Sequence, residues 1–593
     1  MNNNKLASYK EKTRALDAHR QRMALLAKER MRILSLPPEK AIKAILDHKM
    51  ATPLVHSMPV EDFYFLIHEI GPDDSLEILG MASARQWEFF LDMDVWEKDR
   101  FKTSAMTEWL NRLFLADPAR FAKWMWDEKP ELAEYYLSRT IDVRILEENE
   151  DPSEWEDGFF TNDGVFYVRI IPEKTSAGSP EEDDDGPDAR AEFITRFLAC
   201  LVDEDIKRYQ FTLLATTAVI PAESEEDAFR LKNVRLAERG FLPFDEAVGV
   251  YAPLGPSGVK KRRSSLAGPN KNNGFSPPVP MGHVFMLKSG TIFSDAIMRM
   301  GEGGPTDELL AEFAALCNRI IAADQTLIND RSDLRHVVEK VCGYLSIGLS
   351  CVAGEKPEPG RAAALLSSYP LSGIFRAGFA AAIELKSRAM SWKKEGWFAK
   401  NGLPLTFWGE RLTGYIGGLL LSRPRFFDNY ETGRLYREFE SLEDIFQAGD
   451  ALDAAMAFDA LFSKTGVEVK TIPRGRFVTY ENLLLTMWAR TRAGLSPVLV
   501  TIDLDTFKAF FVTLWTDTSP PKVSDGIKTD FLRFLAQKSG QEEYRVSEIL
   551  GRSLEQMFVR LEEELSAVVA DDLDPRFINM FIVDALVKSQ TTR

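Results

Sequence analysis

The sequence predicts a mainly α-helical protein: an N-terminal stack of short helices (superhelical, solenoid-like), a small β-containing acidic insert, and a larger helical C-terminal body. Three observations carry this. Between Leu36 and Val143, seven pieces of ten to fourteen residues each begin at Pro, Ser or Asp and carry an apolar stripe. From Ala191 onward, longer stretches repeat apolar residues every three or four positions, the helical period. The 593 residues are 45% hydrophobic, with 39 Phe and 11 Trp, so the chain can bury large cores against its conformational entropy. The length accommodates several domains.

Residues 1–35 read as a basic amphipathic helix running from 5 to 34. Leu6, Tyr9, Leu16, Met23, Leu26 and Ile33 form its apolar stripe. The first 34 residues hold nine Lys/Arg against three Asp/Glu. The basic face, with Arg20 and Arg22, is a candidate contact for an acidic partner; the simpler reading is a lead-in helix packed on its own protein.

Residues 36–146 repeat one idea, in pieces such as "PPEKAIKAILDHK", "MPVEDFYFLIHEIG", "PDDSLEILGMA", "SARQWEFFLDMD" and "PARFAKWMWDEK". Proline suits the first helical turn, where its missing N–H has no partner in any case. Acidic residues just after it meet the positive end of the helix dipole. Helices this short cannot bury their stripes alone, so neighbours must stack. The last piece, "PELAEYYLSRTIDV", is read as helical to Val143. Trp87, Trp96, Trp109, Trp124 and Trp126 crowd this region. Trp124 and Trp126 diverge by about 200° around a helix. One of them is therefore a candidate exposed anchor for a partner.

The run "MPVEDFYFLIHEIGPDDSLEIL" resembles the short-helix repeats in the intracellular N domain of magnesium transporters and in flagellar motor switch proteins. Met58-Pro59-Val60-Glu61 matches the first half of that repeat; Gly71-Pro72-Asp73-Asp74, with Leu76, Ile78 and Leu79, matches the second. The resemblance covers about a hundred residues and implies a helical-repeat fold, not magnesium sensing. The chain as a whole resembles a bacterial family of unknown function through "RLAERGFLPFDEAVGVYAPL", Arg235 to Leu254, which implies no activity.

Residues 147–190 interrupt the helices. From Glu147 to Asp188 there are fifteen acidic residues against two basic ones, so much of the net charge of −17 belongs here. "GVFYVRIIP" alternates and is rich in aromatic and β-branched residues, a short strand and half of a hairpin. Glu181 to Asp185 is an acidic run without the ordered spacing of a Ca²⁺ loop, and reads as solvated linker. Residues 191–254 give two helices in "AEFITRFLACLVDEDIKRYQFTLLATTAVI" and a third ending at Gly240. Residues 255–280, with "KKRRSS", are a loop by composition.

Residues 281–593 return to helices: Thr306 to Asp330, Leu334 to Ser350, Gly360 to Trp392, Gly409 to Leu421, Ser441 to Lys464 and Tyr480 to Ala493. Ser441 with Asp444 resembles a capping box, and Thr306 precedes Asp307 and Glu308. After Asp505, "EILGRSLEQMFVRLEEELSAVVA" and "DPRFINMFIVDALVKS" are read as further helices.

Chemical signals are sparse. "PVLVTIDLDTF" ends an apolar run in Asp-x-Asp, the way haloacid-dehalogenase-type phosphatases present a nucleophile and its acid. There Asp503 would attack phosphorus and Asp505 would protonate the leaving oxygen, with Mg²⁺ between them. Phe507 stands where Thr or Val is expected, and too little chain follows for the rest of such a core. The competing reading is a helix cap before "TFKAFF". "GEGGPTDE" is a glycine-rich turn without a P-loop lysine. His19, His48, His56, His68, His283 and His336 form no H-x-x-x-H pattern. Cys200, Cys317, Cys342 and Cys351 form no C-x-x-C pair and read as reduced thiols.

"VCGYLSIGLSCVAG" is too short to span a bilayer as a helix. The polar N-terminus is unlike a signal peptide, and the acidic balance disfavours nucleic acid. The expectation is a cytoplasmic, non-enzymatic scaffold or regulatory protein-interaction module, without cofactor or membrane span, whose stacked helices face a protein partner. Two alternatives are a Mg²⁺-dependent phosphatase-like enzyme using Asp503 and Asp505, and a divalent-cation-sensing regulator built on the acidic helix starts.

Overall fold

The computed structural model describes residues 21–97, 99–147, 150–151, 155–172, 189–262, 287, 289–301, 306–326, 328, 330–467, 478–496, 501–516 and 518–584. These residues are mainly helical, with a few short strands. They fall into two compact units. The first comprises Met1–Ala252, Val259–Leu345 and Lys356–Phe375; the second comprises Pro253–Gly258, Ser346–Glu355 and Arg376–Arg593.

In the first unit, the described part of the basic helix (α1, 21–34) buries Leu26 and Ile33 and leaves Arg22 exposed. Arg30 anchors it by donating to the Ser57 carbonyl at 2.6 Å. Short helices follow: α2 (Pro38–Leu46), α3 (Ala51–His56), α4 (Val60–Ile70), α5 (Leu76–Met81), α6 (Ala84–Asp94), α7 (Thr103–Ala116), α8 (Pro118–Asp127) and α9 (Pro130–Thr140). Alternate helices pack together: α2 lies on α4, α3 on α5, α4 on α6 and α5 on α7. Local chemistry sets where each begins. Ser83 and Gln86 form a reciprocal capping box at α6, the Asp117 side chain caps α8, and Pro38, Pro118 and Pro130 fill first turns.

Aromatic side chains fill the space between these helices. Trp87 is fully buried, donates its indole N–H to the Leu79 carbonyl at 2.8 Å and meets Trp124 edge-on at 5.4 Å. Phe90 stacks on Trp109 at 4.5 Å. A two-stranded hairpin, β1 (Trp96–Glu97) with β2 (Arg100–Phe101), separates α6 from α7.

The seventh repeat does not end in helix as its sequence predicts. Ile141-Asp142-Val143 belong to β3 (Ile141–Ile145), which pairs antiparallel with β5 (Phe166–Ile170). β5 also pairs with β4 (Phe159–Thr161), giving the order β3-β5-β4. The β-branched ends of β3 favour this state once β5 offers a partner, and Val143 faces Val168 across the pair. The acidic run Glu181 to Asp185 lies outside the described residues.

Three helices then return to the stack. α10 (Ala189–Glu204) packs on α7 and α8, and α11 (Ile206–Thr216) packs on α9. α12 (Pro221–Ala237) packs on α9 and β2. Gly240 ends this segment as its position predicts. It has φ +90°, and a Cβ there would lie 2.4 Å from the Ala315 carbonyl oxygen. The single helix expected from Gly360 to Trp392 is two, Pro359–Ser368 and Leu371–Glu395. Pro370 forces Tyr369 into the extended region (φ −124°, ψ 145°), which breaks the helix there.

The second unit contains the helices Gly409–Leu420, Leu442–Lys464, Tyr480–Arg492, Leu504–Phe511, Asp525–Ser539 and Glu543–Leu565. The Ser441–Asp444 capping box is present, and Arg437 binds Asp444 through two hydrogen bonds of 2.8 and 2.9 Å. The helix expected in "DPRFINMFIVD" is absent. Val583–Asp584 there forms a strand beside Ile502–Asp503, in parallel. Phe581 is buried against Phe507 and Phe510, so this segment serves as an extended cover with no second face to bury.

Candidate functional site

A polar cleft lies within the first unit, where α6, the β1–β2 hairpin, α9 and α12 converge. It holds about 460 Å³. α6 contributes Glu88, Leu91 and Asp92, and the hairpin contributes Trp96 and Phe101. The start of α9 contributes Glu131, Leu132 and Tyr135, preceded by Glu128 and Lys129. α12 contributes Glu223, Asp227, Leu231 and Arg235, among others.

α12 explains why the site is charged. Its sequence, "PAESEEDAFRLKNVRLA", is strongly polar, and only Lys232 and Leu236 are buried. Apolar burial cannot hold such a helix in place, so polar contacts do. Arg235 grips Asp92 through two hydrogen bonds of 2.9 and 2.7 Å and lies 3.3 Å from Glu88. Lys129 also binds Glu88. The Glu225 carboxylate accepts the Phe101 N–H at 2.6 Å and the Tyr135 hydroxyl at 3.3 Å, tying α12 to hairpin and α9 together.

The electrostatics follow from burial. Desolvation raises the Asp92 carboxyl above its ordinary range, against the pull of Arg235. Tyr135 is pushed up to about 12 by burial and by Glu225. Lys232 is only 9% exposed, with its ammonium 4.6 Å from the centre of the Trp96 ring. Burial lowers it to about 8 even though Asp92 favours its charge. The floor thus carries matched charges, Asp92 and Glu88 with Arg235 and Lys129. The rim is acidic: Glu128, Glu131, Glu223 and Asp227 are exposed, and Asp227 is engaged by Arg230 at 3.1 Å.

A broader groove of about 800 Å³ lies in the second unit beside Asp459. The Asp459 carboxylate there is held by three donors. It accepts the Trp392 indole N–H at 3.2 Å and the backbone N–H groups of Trp397 and Phe398 at 2.8 and 2.9 Å. Its work is to hold a chain turn.

Of the candidate residues drawn from the sequence, Trp124, Trp126, Arg22, Asp503 and Asp505 line neither place. Trp124 and Trp126 are both buried, at 4% and 9% exposure, so neither is an exposed anchor. Trp124 turns toward Trp87 on α6. Trp126 donates to Thr212 on α11 at 3.1 Å and lies under Arg208, 4.8 Å from its ring centre. Helices from beyond the insert cover the second face of α8, which the local period could not show. Arg22 is exposed on α1; Arg20 lies outside the described residues.

Asp503 is the N-cap of Leu504–Phe511 and accepts the Thr506 N–H at 2.9 Å; Asp505 is exposed in the first turn. The strand carrying Asp503 is two residues long. As a nucleophile it would have to release the cap it provides. Among the described residues no group of three or more His, Cys, Asp or Glu is placed to hold a metal ion. His68 pairs with Asp94 at 2.9 Å. The four cysteines are free thiols, with Cys317 and Cys342 buried. No helix among the described residues is long and apolar enough to cross a membrane.

The sequence reading passed over Glu88, Asp92, Lys129, Lys232 and Arg235. The available signal was the poverty of apolar residues in α12, which requires polar anchorage elsewhere. Together the features define a mainly helical protein with a charged, aromatic-walled cleft. The chain belongs to DUF6178, a family of unknown function, which matches residues 19–584. No curated protein and no solved structure matches it. These comparisons add nothing to the likeness of Met58–Leu79 to magnesium-transporter and flagellar-switch repeats.

Proposed function

We propose that the protein is a cytoplasmic, non-enzymatic scaffold or regulatory interaction protein that presents its N-terminal helical stack to another protein. The observation behind this reading is the set of large apolar side chains exposed on α11 and α12, the two helices that flank α9. Phe211 is 69% exposed and Leu214, one turn on, 50%; Leu231 is 53% exposed and Val234, one turn on, 56%. On each helix these two exposed apolar side chains are neighbours one turn apart, and contiguous apolar surface in water is what another protein covers. Free thiols fit a reducing compartment.

The test is chemical crosslinking and co-purification of the full chain from its native host, repeated with Phe211→Ser/Leu214→Ser. Both side chains are exposed, so the variant keeps its fold. A partner captured by the wild type and lost by the variant is the expected result. Recovery of no partner by the wild type, or equal capture by both, refutes the reading.

A further inference from the structure

The cleft of the first unit has a shape and charge that specify its occupant. About 460 Å³ admits one or two side chains, not a folded element. Its walls are apolar at Leu132, Tyr135 and Leu231, and Leu231 stands at the lip with half its surface in water. The charges of the floor are already matched by Asp92–Arg235 and Glu88–Lys129, so an ionic group entering deeply finds no unmatched counter-charge. Exposed Arg230 is paired with Asp227 at 3.1 Å, so exposed Glu128, Glu131 and Glu223 leave the mouth acidic. An anionic ligand is repelled at the entrance. A bare cation is attracted there but leaves the apolar walls uncovered.

We propose that this cleft receives an apolar side chain from a partner protein, and that Lys or Arg residues flanking this anchor pair with the carboxylates of the rim. The proposal rests on the interaction-protein reading and names the chemistry of the partner: a basic segment with an aliphatic or aromatic anchor. Apolar burial supplies the anchor's share of the affinity, and the exposed ion pairs supply orientation and a dependence on salt.

The test uses the full chain and a fluorescein-labelled peptide, Lys-Arg-Lys-Leu-Phe-Lys-Arg-Lys, read by fluorescence anisotropy. One control peptide carries Gly-Ser in place of Leu-Phe; a second carries Glu in place of every Lys and Arg. Two variants, Glu131→Lys/Glu223→Lys and Leu231→Asp, alter exposed positions, and their folding is checked by circular dichroism. The proposal expects the anchored basic peptide to bind at least tenfold more tightly than either control. It also expects each variant to weaken that binding at least tenfold. Equal binding of the anchorless basic peptide shows mere attraction of cations and overturns it. So does binding that survives both variants, or no saturable binding at millimolar protein. The same variants separate this proposal from the reading beneath it. A host partner retained by both variants but lost by Phe211→Ser/Leu214→Ser leaves the interaction role standing and removes the cleft from it. Absence of any host partner removes the role itself.

Discussion

Replacing Lys232 with Met should stabilise the first unit at neutral pH. Lys232 is buried between Trp96 and Phe229, with its ammonium 4.6 and 5.6 Å from their ring centres. Burial moves it from an ordinary 10.5 to about 8. At about 1.4 kcal/mol per pH unit, that corresponds to roughly 3 kcal/mol of cost for the buried charged form. Contact of the cation with the rings offsets about 1 kcal/mol. Methionine fills a similar volume and carries no charge. The expected gain at pH 7 is therefore about 2 kcal/mol.

The direction with pH is set by the folded value lying below the unfolded one. Below pH 8 the lysine is charged in both states and the cost is complete. Between about 8 and 10.5 the folded state has lost its proton while the unfolded chain still holds one, so the wild type gains stability as pH rises. Lys232→Met lacks this gain, and the difference between the two proteins closes toward pH 10.5. Urea unfolding followed by tryptophan fluorescence at pH 7, 8.5 and 10 measures it. A variant less stable than wild type at pH 7 by more than about 1 kcal/mol would refute the reasoning, because ring contact would then outweigh burial. A difference independent of pH would refute it equally.

Asp92→Asn removes the bidentate carboxylate from Arg235 and leaves Glu88, 3.3 Å away, as its charged partner, so it should cost about 2 kcal/mol; denaturant midpoints for Asp92→Asn, Arg235→Met and the double variant give the coupling, which is expected to exceed about 1 kcal/mol. Gly240→Ala places a methyl group 2.4 Å from the Ala315 carbonyl oxygen in a left-handed backbone. It should lower stability by at least about 2 kcal/mol in thermal unfolding. Asp503→Ala removes the cap of Leu504–Phe511 and should cost about 1 kcal/mol, whereas Asp503→Ser restores most of it; a loss that Ser cannot restore would show a role for the carboxylate beyond capping.

Helix starts were legible because their determinants lie within four residues of one another. Ser441 with Asp444 is a reciprocal cap in the structure, as its spacing predicts. The run of prolines and the apolar stripes between Leu36 and Thr140 likewise announced short helices that need neighbours. The signals misread were those whose meaning depends on a distant strand or helix. Ile141-Asp142-Val143 continues a helical stripe, and is a strand only because β5 lies beside it. Residues 574–584 carry enough apolar side chains for a helix, but the chain they cover leaves them one face.

The site was the least legible part. Asp92 and Arg235 stand 143 residues apart, and Glu225 binds the Phe101 N–H across 124. No spacing rule links such positions, and each residue by itself looks like an ordinary solvated charge. The amino-acid sequence determined the mainly helical class, the helix starts and the helix end at Gly240, because hydrogen bonds and steric limits among near neighbours decide these. Only tertiary packing decided that both Trp124 and Trp126 are hidden, that Lys232 is buried, and that side chains from four elements line one charged cleft. Those outcomes depend on which surfaces meet, and desolvation and ion pairing take effect only once they have met.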